Sequence, residues 1–278
     1  MAYIETIQTA GGALQADVAP IHGGMVTQLR LQGRRLLHLE ETALETAPMS
    51  AGGMPVLFPF PSKTREDRYV LEGRPYCMPM HGLLKNAAFA VKSRERNTIT
   101  LWMESSPAWR AQCYPFDFHL ELTYRVEGAS LFTLAALTNR SQRPMPHCLG
   151  WHPFFLTSDK GSMSLDWDFA VQYDYRRQVD LAAPEQLDLG GRLDDVFHTP
   201  RSGVFELTAP RDGYAVRCVP DSAFQVLTVC SWVPESMCVE PWCGLPDSIN
   251  TRRFLQWVAP GATERYAVEW QVRLLDGR

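Results

Sequence analysis

The sequence predicts an all-β protein built as a large antiparallel β-sandwich. Three observations carry that prediction. Apolar and polar residues alternate with a period of two over long stretches. The 3.6-residue period of an amphipathic helix is nearly absent. Turn-forming clusters separate the alternating runs at short intervals, as a sandwich of many short strands requires.

Taken in order, Ile4 to Thr9 and Leu14 to Val18 flank Gly11-Gly12 and read as a hairpin. Pro48 to Tyr69 reads differently. It holds Gly52-Gly53-Met54-Pro55, then Phe58-Pro59-Phe60-Pro61, then the charged run Ser62 to Arg68. Proline that dense does not fit a central strand, so a long ordered loop is expected, and long loops in compact domains are often functional. Thr98 to Met103 is strand-like. Phe118, Leu120, Leu122, Tyr124 and Val126 alternate with His119, Glu121, Thr123 and Arg125, giving a strand with one dry and one wetter face. After the Glu127-Gly128 turn, Leu131 to Thr138 forms the next strand, ended by Asn139-Arg140-Ser141.

Gln172 to Phe197 mixes charged and apolar residues without a clean period, and no strand is expected there. Tyr214 to Val219 follows the Arg211-Asp212-Gly213 turn, and Phe224 to Trp232 is a further strand. Pro234 to Arg253 is the third non-strand stretch. Beyond Pro260-Gly261, Tyr266, Val268, Trp270, Val272 and Leu274 alternate with Ala267, Glu269, Gln271 and Arg273 in a last strand. With no internal repeat and no linker, residues 1–278 are expected to form one domain.

Hydrophobic residues make up 45% of the 278 and charged residues 21%, enough apolar side chain for a sizeable core. The net charge of -4 speaks against a nucleic-acid binder, which would carry a basic patch. No apolar run approaches the roughly 20 residues that span a membrane, so no membrane partner is expected. Met-Ala-Tyr-Ile-Glu-Thr lacks the basic and apolar regions of a signal peptide. The 7 cysteines are odd in number. Cys230, Cys238 and Cys243 lack the paired short spacing of a zinc site, so reduced thiols in a cytoplasmic protein are expected.

Five places offer chemistry. His152 lies in Cys148-Leu149-Gly150-Trp151-His152-Pro153-Phe154-Phe155, where Pro153 biases it toward an extended backbone and the aromatics supply packing area. A histidine held that way can be aimed. His81 precedes Gly82, which lets the backbone approach a neighbour closely. Asp194 and Asp195 are paired carboxylates before Val196-Phe197. Glu240 lies between Val239 and Pro241-Trp242, so apolar a setting that a carboxylate there needs a partner or a purpose. Arg65 lies in the proline-bounded loop. Together these supply a histidine and a glutamate for acid–base work, and polar groups among aromatic faces suited to a pyranose. No phosphate-binding glycine loop, dinucleotide fingerprint or Gly-x-Ser-x-Gly elbow is present.

In their order and spacing, Pro55 to Pro61 with Arg65, His81-Gly82, His152-Pro153-Phe154-Phe155, Asp194-Asp195-Val196-Phe197 and Glu240-Pro241-Trp242 give a chain that resembles the aldose 1-epimerases, the galactose mutarotase-like proteins. The resemblance implies a β-supersandwich and the interconversion of α and β anomers of an aldose, within carbohydrate metabolism. It implies His152 as general acid and Glu240 as general base. It implies His81 and Arg65 as ligands of sugar hydroxyls and ring oxygen, with Asp194, or Asp195, as a further hydroxyl ligand. No metal, nicotinamide or other cofactor is called for. The partner is a small-molecule sugar, an aldohexose, and the protein a monomer or homodimer.

The sequence departs from galactose mutarotases proper at Thr64, where they carry Asn before the arginine, and at Lys85 after the His-Gly motif. A related branch acts on hexose 6-phosphates, and Lys63, Arg65 and Lys85 could meet a phosphate. Two further classes stand beside these: a non-catalytic carbohydrate-binding domain, and a zinc enzyme using His81 and His152.

Overall fold

Alternation converts directly into pairing. Phe118–Glu127 and Ser130–Asn139 form an antiparallel hairpin that closes at Glu127 opposite Ser130, with Gly128 at φ 58° making the turn. Leu120, Leu122, Tyr124 and Val126 are fully buried while their neighbours are half-buried, the two faces the sequence predicts. A computed structural model describes residues 3–40, 42–45 and 52–275. The first part of the predicted Pro48 to Tyr69 loop, through residue 51, lies outside the described residues.

Two large antiparallel sheets make up the sandwich. The outer sheet runs in the order Ser164–Asp166, Phe205–Ala209, Tyr214–Pro220, Thr263–Leu274, Ser130–Asn139, Phe118–Glu127, Thr98–Glu104 and Ala90–Arg94. The second, the site sheet, runs Val179–Ala182, Phe169–Asp174, Asp194–Pro200, Val226–Cys230, Ser236–Trp242, Gly150–Trp151 and Val56–Leu57, with Phe154–Leu156 also paired to Ser236–Trp242. The sheets meet through large side chains, Phe155 against Trp270 at a ring separation of 5.9 Å. Each such fully buried aromatic contributes roughly 1.5–3 kcal/mol. A four-stranded sheet, Glu5–Gln8, Leu14–Ala19, Met25–Leu31 and Arg34–Arg35, opens the chain with the predicted hairpin, Glu5 opposite Val18.

Helix is confined to short pieces. Pro107–Gln112 starts where Ser106 accepts a hydrogen bond from the Trp109 N–H and Pro107 fixes the first turn. Among the described residues no helix is long and apolar enough to cross a membrane.

All three stretches expected to lack strands contain them, Pro48 to Tyr69 holding the two-residue strand Val56–Leu57 and the start of Arg68–Leu71. Gln172 to Phe197 includes Val179–Ala182 and parts of Phe169–Asp174 and Asp194–Pro200. The first of these is an edge strand with all four residues exposed, so no buried face imposes an apolar period. Pro234 to Arg253 includes Ser236–Trp242, whose seven residues are all buried. A strand covered on both faces has no apolar–polar alternation to read.

Candidate active site

The strand Ser236–Trp242 sorts its side chains by parity. Met237 and Val239 join the core between the sheets, while Cys238, Glu240 and Trp242 point to the opposite face. Its partner Val226–Cys230 does the same. Leu227 and Val229 face the core, and Thr228 and Cys230 face outward, with Thr228 opposite Glu240 and Cys230 opposite Cys238. Asp194–Pro200 pairs next, Asp194 opposite Cys230. On the other side of Glu240, Trp151 and Phe155 enter the core while His152 and Phe154 face outward. Even-numbered residues of four separate segments therefore line one cavity of about 920 Å³.

His152 and Glu240 form its floor. Nε2 of His152 lies 3.4 Å from Oε1 of Glu240, and the two side chains are 7% and 1% exposed. The backbone N–H of His152 donates to Pro55 O at 3.0 Å, and its ring stacks on Phe154 at 4.4 Å and 6°. Glu240 has the partners its setting demands. The indole N–H of Trp242 donates to Oε2 at 3.1 Å, and the thiol of Cys230 donates to Oε1 at 3.4 Å. Trp242 lies against Gly150, where no other residue leaves room for the indole.

Burial acts on both groups in the direction of their neutral forms. It pushes the Glu240 carboxyl well above the usual carboxylate range and holds His152 well below the usual imidazole range, with nearby His81 adding to the latter. Both shifts favour carboxylic acid beside neutral imidazole, a form in which the pair holds one proton between its two members.

His81 completes the far wall, with its ring 5.2 Å from that of His152 and edge-on to it. Its Nδ1 accepts the Ser62 N–H at 3.2 Å. Burial, with Lys85 adding, lowers its pKa to about 4, so the ring is neutral near pH 7 and carries its proton on Nε2 as a fixed donor. The glycine after it is required: Gly82 has φ 83°, and a Cβ there would lie 2.1 Å from Phe58 O.

Arg65 and Lys63 lie at the cavity mouth, where the Arg65 backbone N–H donates to Asp247 Oδ1 at 3.0 Å. Asp194 lines the cavity and accepts a hydrogen bond from Tyr175 Oη at 2.7 Å. Asp195 does not line it. Odd parity turns its carboxylate away from the cavity, where it accepts from Gln172 Nε2 at 2.9 Å. Lys85 is exposed and also lies outside the lining. His152, Glu240, His81, Arg65, Lys63 and Asp194 are thus brought together from five distant parts of the chain.

Several residues that share this cavity were not marked as site residues by the sequence, among them Trp232, Tyr175, Arg176 and Arg192. Trp232 is 54% exposed and sets an edge against Phe154 at 6.1 Å. Tyr175, Arg176 and Arg192 add a phenol and two guanidinium groups at the mouth. Of these four, only Trp232 left a trace in the sequence, as a tryptophan at the end of a strand-like run. The hydroxyl of Thr228, 4% exposed, is without a hydrogen-bond partner among the described residues.

The sequence model of the family described as aldose 1-epimerase matches residues 5–266. A search of curated proteins by sequence finds no match. Among solved structures, the chain is similar to the Slr1438 protein from Synechocystis sp. PCC 6803, with a TM-score of 0.93, 23% identity, and 99% of this chain and 96% of that one covered. It is similar to a galactose mutarotase-like protein from Lactobacillus casei ATCC 334, at TM-score 0.82 and 20% identity over 98% and 100% of the two chains. It is also similar to a GalM/aldose epimerase homologue from C. elegans, at TM-score 0.82 and 12% identity over 99% and 100%. At such identities the structural likeness establishes the fold.

Proposed function

The chain belongs to the aldose 1-epimerase family, and on that premise we propose that it interconverts the α and β anomers of an aldohexose by acid–base ring opening. One observation carries the reading: a buried imidazole and a buried carboxyl, 3.4 Å apart, share the floor of a cavity with aromatic and hydrogen-bonding walls. A site that only bound sugar would have no need of this pair.

The reaction requires one proton to leave the C1 hydroxyl and one to reach the ring oxygen. In the roles the family resemblance implies, the Glu240 carboxylate takes the first. The C1–O5 bond then breaks with its electrons moving to the ring oxygen, C1 becomes an aldehyde, and the His152 imidazolium protonates the ring oxygen. Rotation about C1–C2 presents the other face, and the same steps in reverse close the ring. Carboxylate with imidazolium, and carboxylic acid with imidazole, contain the same single proton. Moving it across the pair converts the neutral form that burial favours into the working one, and the Trp242 and Cys230 donors support the carboxylate so formed. His81 Nε2–H, Arg65 and Asp194 hold hydroxyls, and the exposed Trp232 face gives the C–H side of the sugar an apolar contact. Seven thiols free of disulfides fit a cytoplasmic setting.

Freshly dissolved α-glucose and α-galactose, followed by polarimetry with and without protein, test the proposal. Faster equilibration supports it, and an unchanged rate with both sugars and their 6-phosphates removes it.

A second reading places a 6-phosphate on the sugar. Lys63, Arg65, Arg176 and Arg192 all lie exposed at the mouth, and none forms an ion pair among the described residues. Glucose 6-phosphate against glucose in the same polarimeter decides between the two substrates.

A further inference from the structure

The floor of the cavity holds a third reactive group. Cys230 Sγ, a ring nitrogen of His152 and a Glu240 carboxylate oxygen all lie within 4.8 Å of one another, and all three residues are buried. Oε1 is 3.4 Å from each of the other two donors. We propose that these three atoms form a binding site for zinc, or a similar borderline-soft divalent cation, that shuts off the active site when occupied. It is an inhibitory site and not a cofactor site, and it rests on geometry that stands whether or not the chain acts on sugars.

The donor set selects the ion. One imidazole nitrogen, one thiolate and one carboxylate oxygen suit zinc and disfavour magnesium or calcium, which prefer oxygen alone. Tetrahedral zinc with bonds of about 2.0–2.3 Å separates its ligand atoms by about 3.3–3.6 Å. The two measured edges of 3.4 Å already match. Only the cysteine–histidine edge, within 4.8 Å, has to shorten, by at most about 1.2 Å, which a small rotation of the Cys230 side chain can supply.

The ligands are also held. Trp242 donates to Oε2, which leaves Oε1 turned toward the other two atoms. Cys230 and Glu240 lie diagonally across a continuous antiparallel ladder, with Cys230 opposite Cys238 and Thr228 opposite Glu240. The cavity side stays open for a water as fourth ligand. Binding releases the Cys230 thiol proton and the proton shared by Glu240 and His152, and both leave to solvent. The acid–base pair is then tied to the metal, and sugar cannot be turned over. Sequence spacing cannot show such a site, because its ligands come from three separated segments.

The test uses the full-length chain freed of metal by chelator, whose mutarotation rate should be unchanged by that treatment. Zinc chloride is added under equilibrium dialysis and the bound metal counted by atomic absorption. Cobalt(II) in its place should give a thiolate-to-metal charge-transfer band in the near ultraviolet. The expected result is one zinc per chain, a cobalt–thiolate band, and inhibition that excess sugar relieves. Cys230→Ser and Cys230→Ala should abolish the band and weaken zinc binding on the order of 100-fold, and exposed Cys77→Ser should change neither. His152→Asn should weaken zinc binding as well, which covers the case of a Cys230 variant that does not fold by circular dichroism. Wild-type protein that takes up no zinc, or a band and affinity retained in folded Cys230→Ala, overturns the site. Zinc uptake is read without sugar, so a chain that binds zinc and does not mutarotate loses the proposed function alone.

Discussion

Gly150 and Trp242 face each other across an antiparallel pair, and a Cβ on Gly150 would lie 2.4 Å from Cδ1 of the indole. The same indole donates to Glu240 Oε2. The missing side chain at 150 is thus what lets Trp242 reach the carboxylate. Gly150→Ala should push the indole away, cost about 1–3 kcal/mol of stability through overpacking, and lower kcat as the carboxylate loses its donor. Denaturant unfolding and initial mutarotation rates check this, and wild-type values for both would show that Trp242 has another place to go.

Glu240→Gln keeps the size of the side chain and removes its ability to accept a proton. We expect kcat to fall about 10²–10⁴-fold while sugar affinity, measured by calorimetry, changes little. Near-normal kcat would move the base elsewhere, and Asp194, which shares the cavity, would be the next candidate.

The pH–rate profile should be bell-shaped, because the working pair holds one proton. The acid limb marks uptake of a second proton, and since burial holds His152 low, it lies below the ordinary imidazole range. The alkaline limb marks loss of the last proton. It lies above the ordinary carboxylate range, since burial raises Glu240. In His152→Asn the alkaline limb should vanish, leaving a single rise through the Glu240 titration. Rates measured across pH for both proteins decide it, and an alkaline limb retained in the variant would assign that limb to another group.

His81→Ala removes a hydrogen-bond donor present in ground state and transition state alike. KM should rise about fivefold, the equivalent of one hydrogen bond near 1 kcal/mol, and Arg65→Ala should act in the same direction. His81→Gln, which keeps an N–H donor, should recover part of the loss. A purely structural histidine would instead lower Tm without this recovery.

Much of this protein was legible in its sequence. Alternation over Phe118 to Val126 and over Tyr266 to Leu274 settled the all-β class, because a sheet with one dry face and one wetter face writes its period into the chain. Pro153 after His152, Gly82 after His81 and the apolar surroundings of Glu240 marked residues whose local chemistry is unusual before any partner was known. Ser236–Trp242 was not legible as a strand, because burial on both faces erases the alternation.

The rest was decided only by tertiary structure. Asp194 and Asp195 are equivalent as letters, and one turn of strand parity places the first in the cavity and the second against Gln172. Cys230 entered the site through strand register, which pairs residues far apart in the chain, and Trp232, Tyr175 and Arg176 entered on the connections that follow paired strands. The proton shared by His152 and Glu240 depends on desolvation by both walls at once. A sequence shows which side chains can do chemistry. Which of them meet, and how dry the meeting place is, depends on long-range pairing that no local pattern encodes.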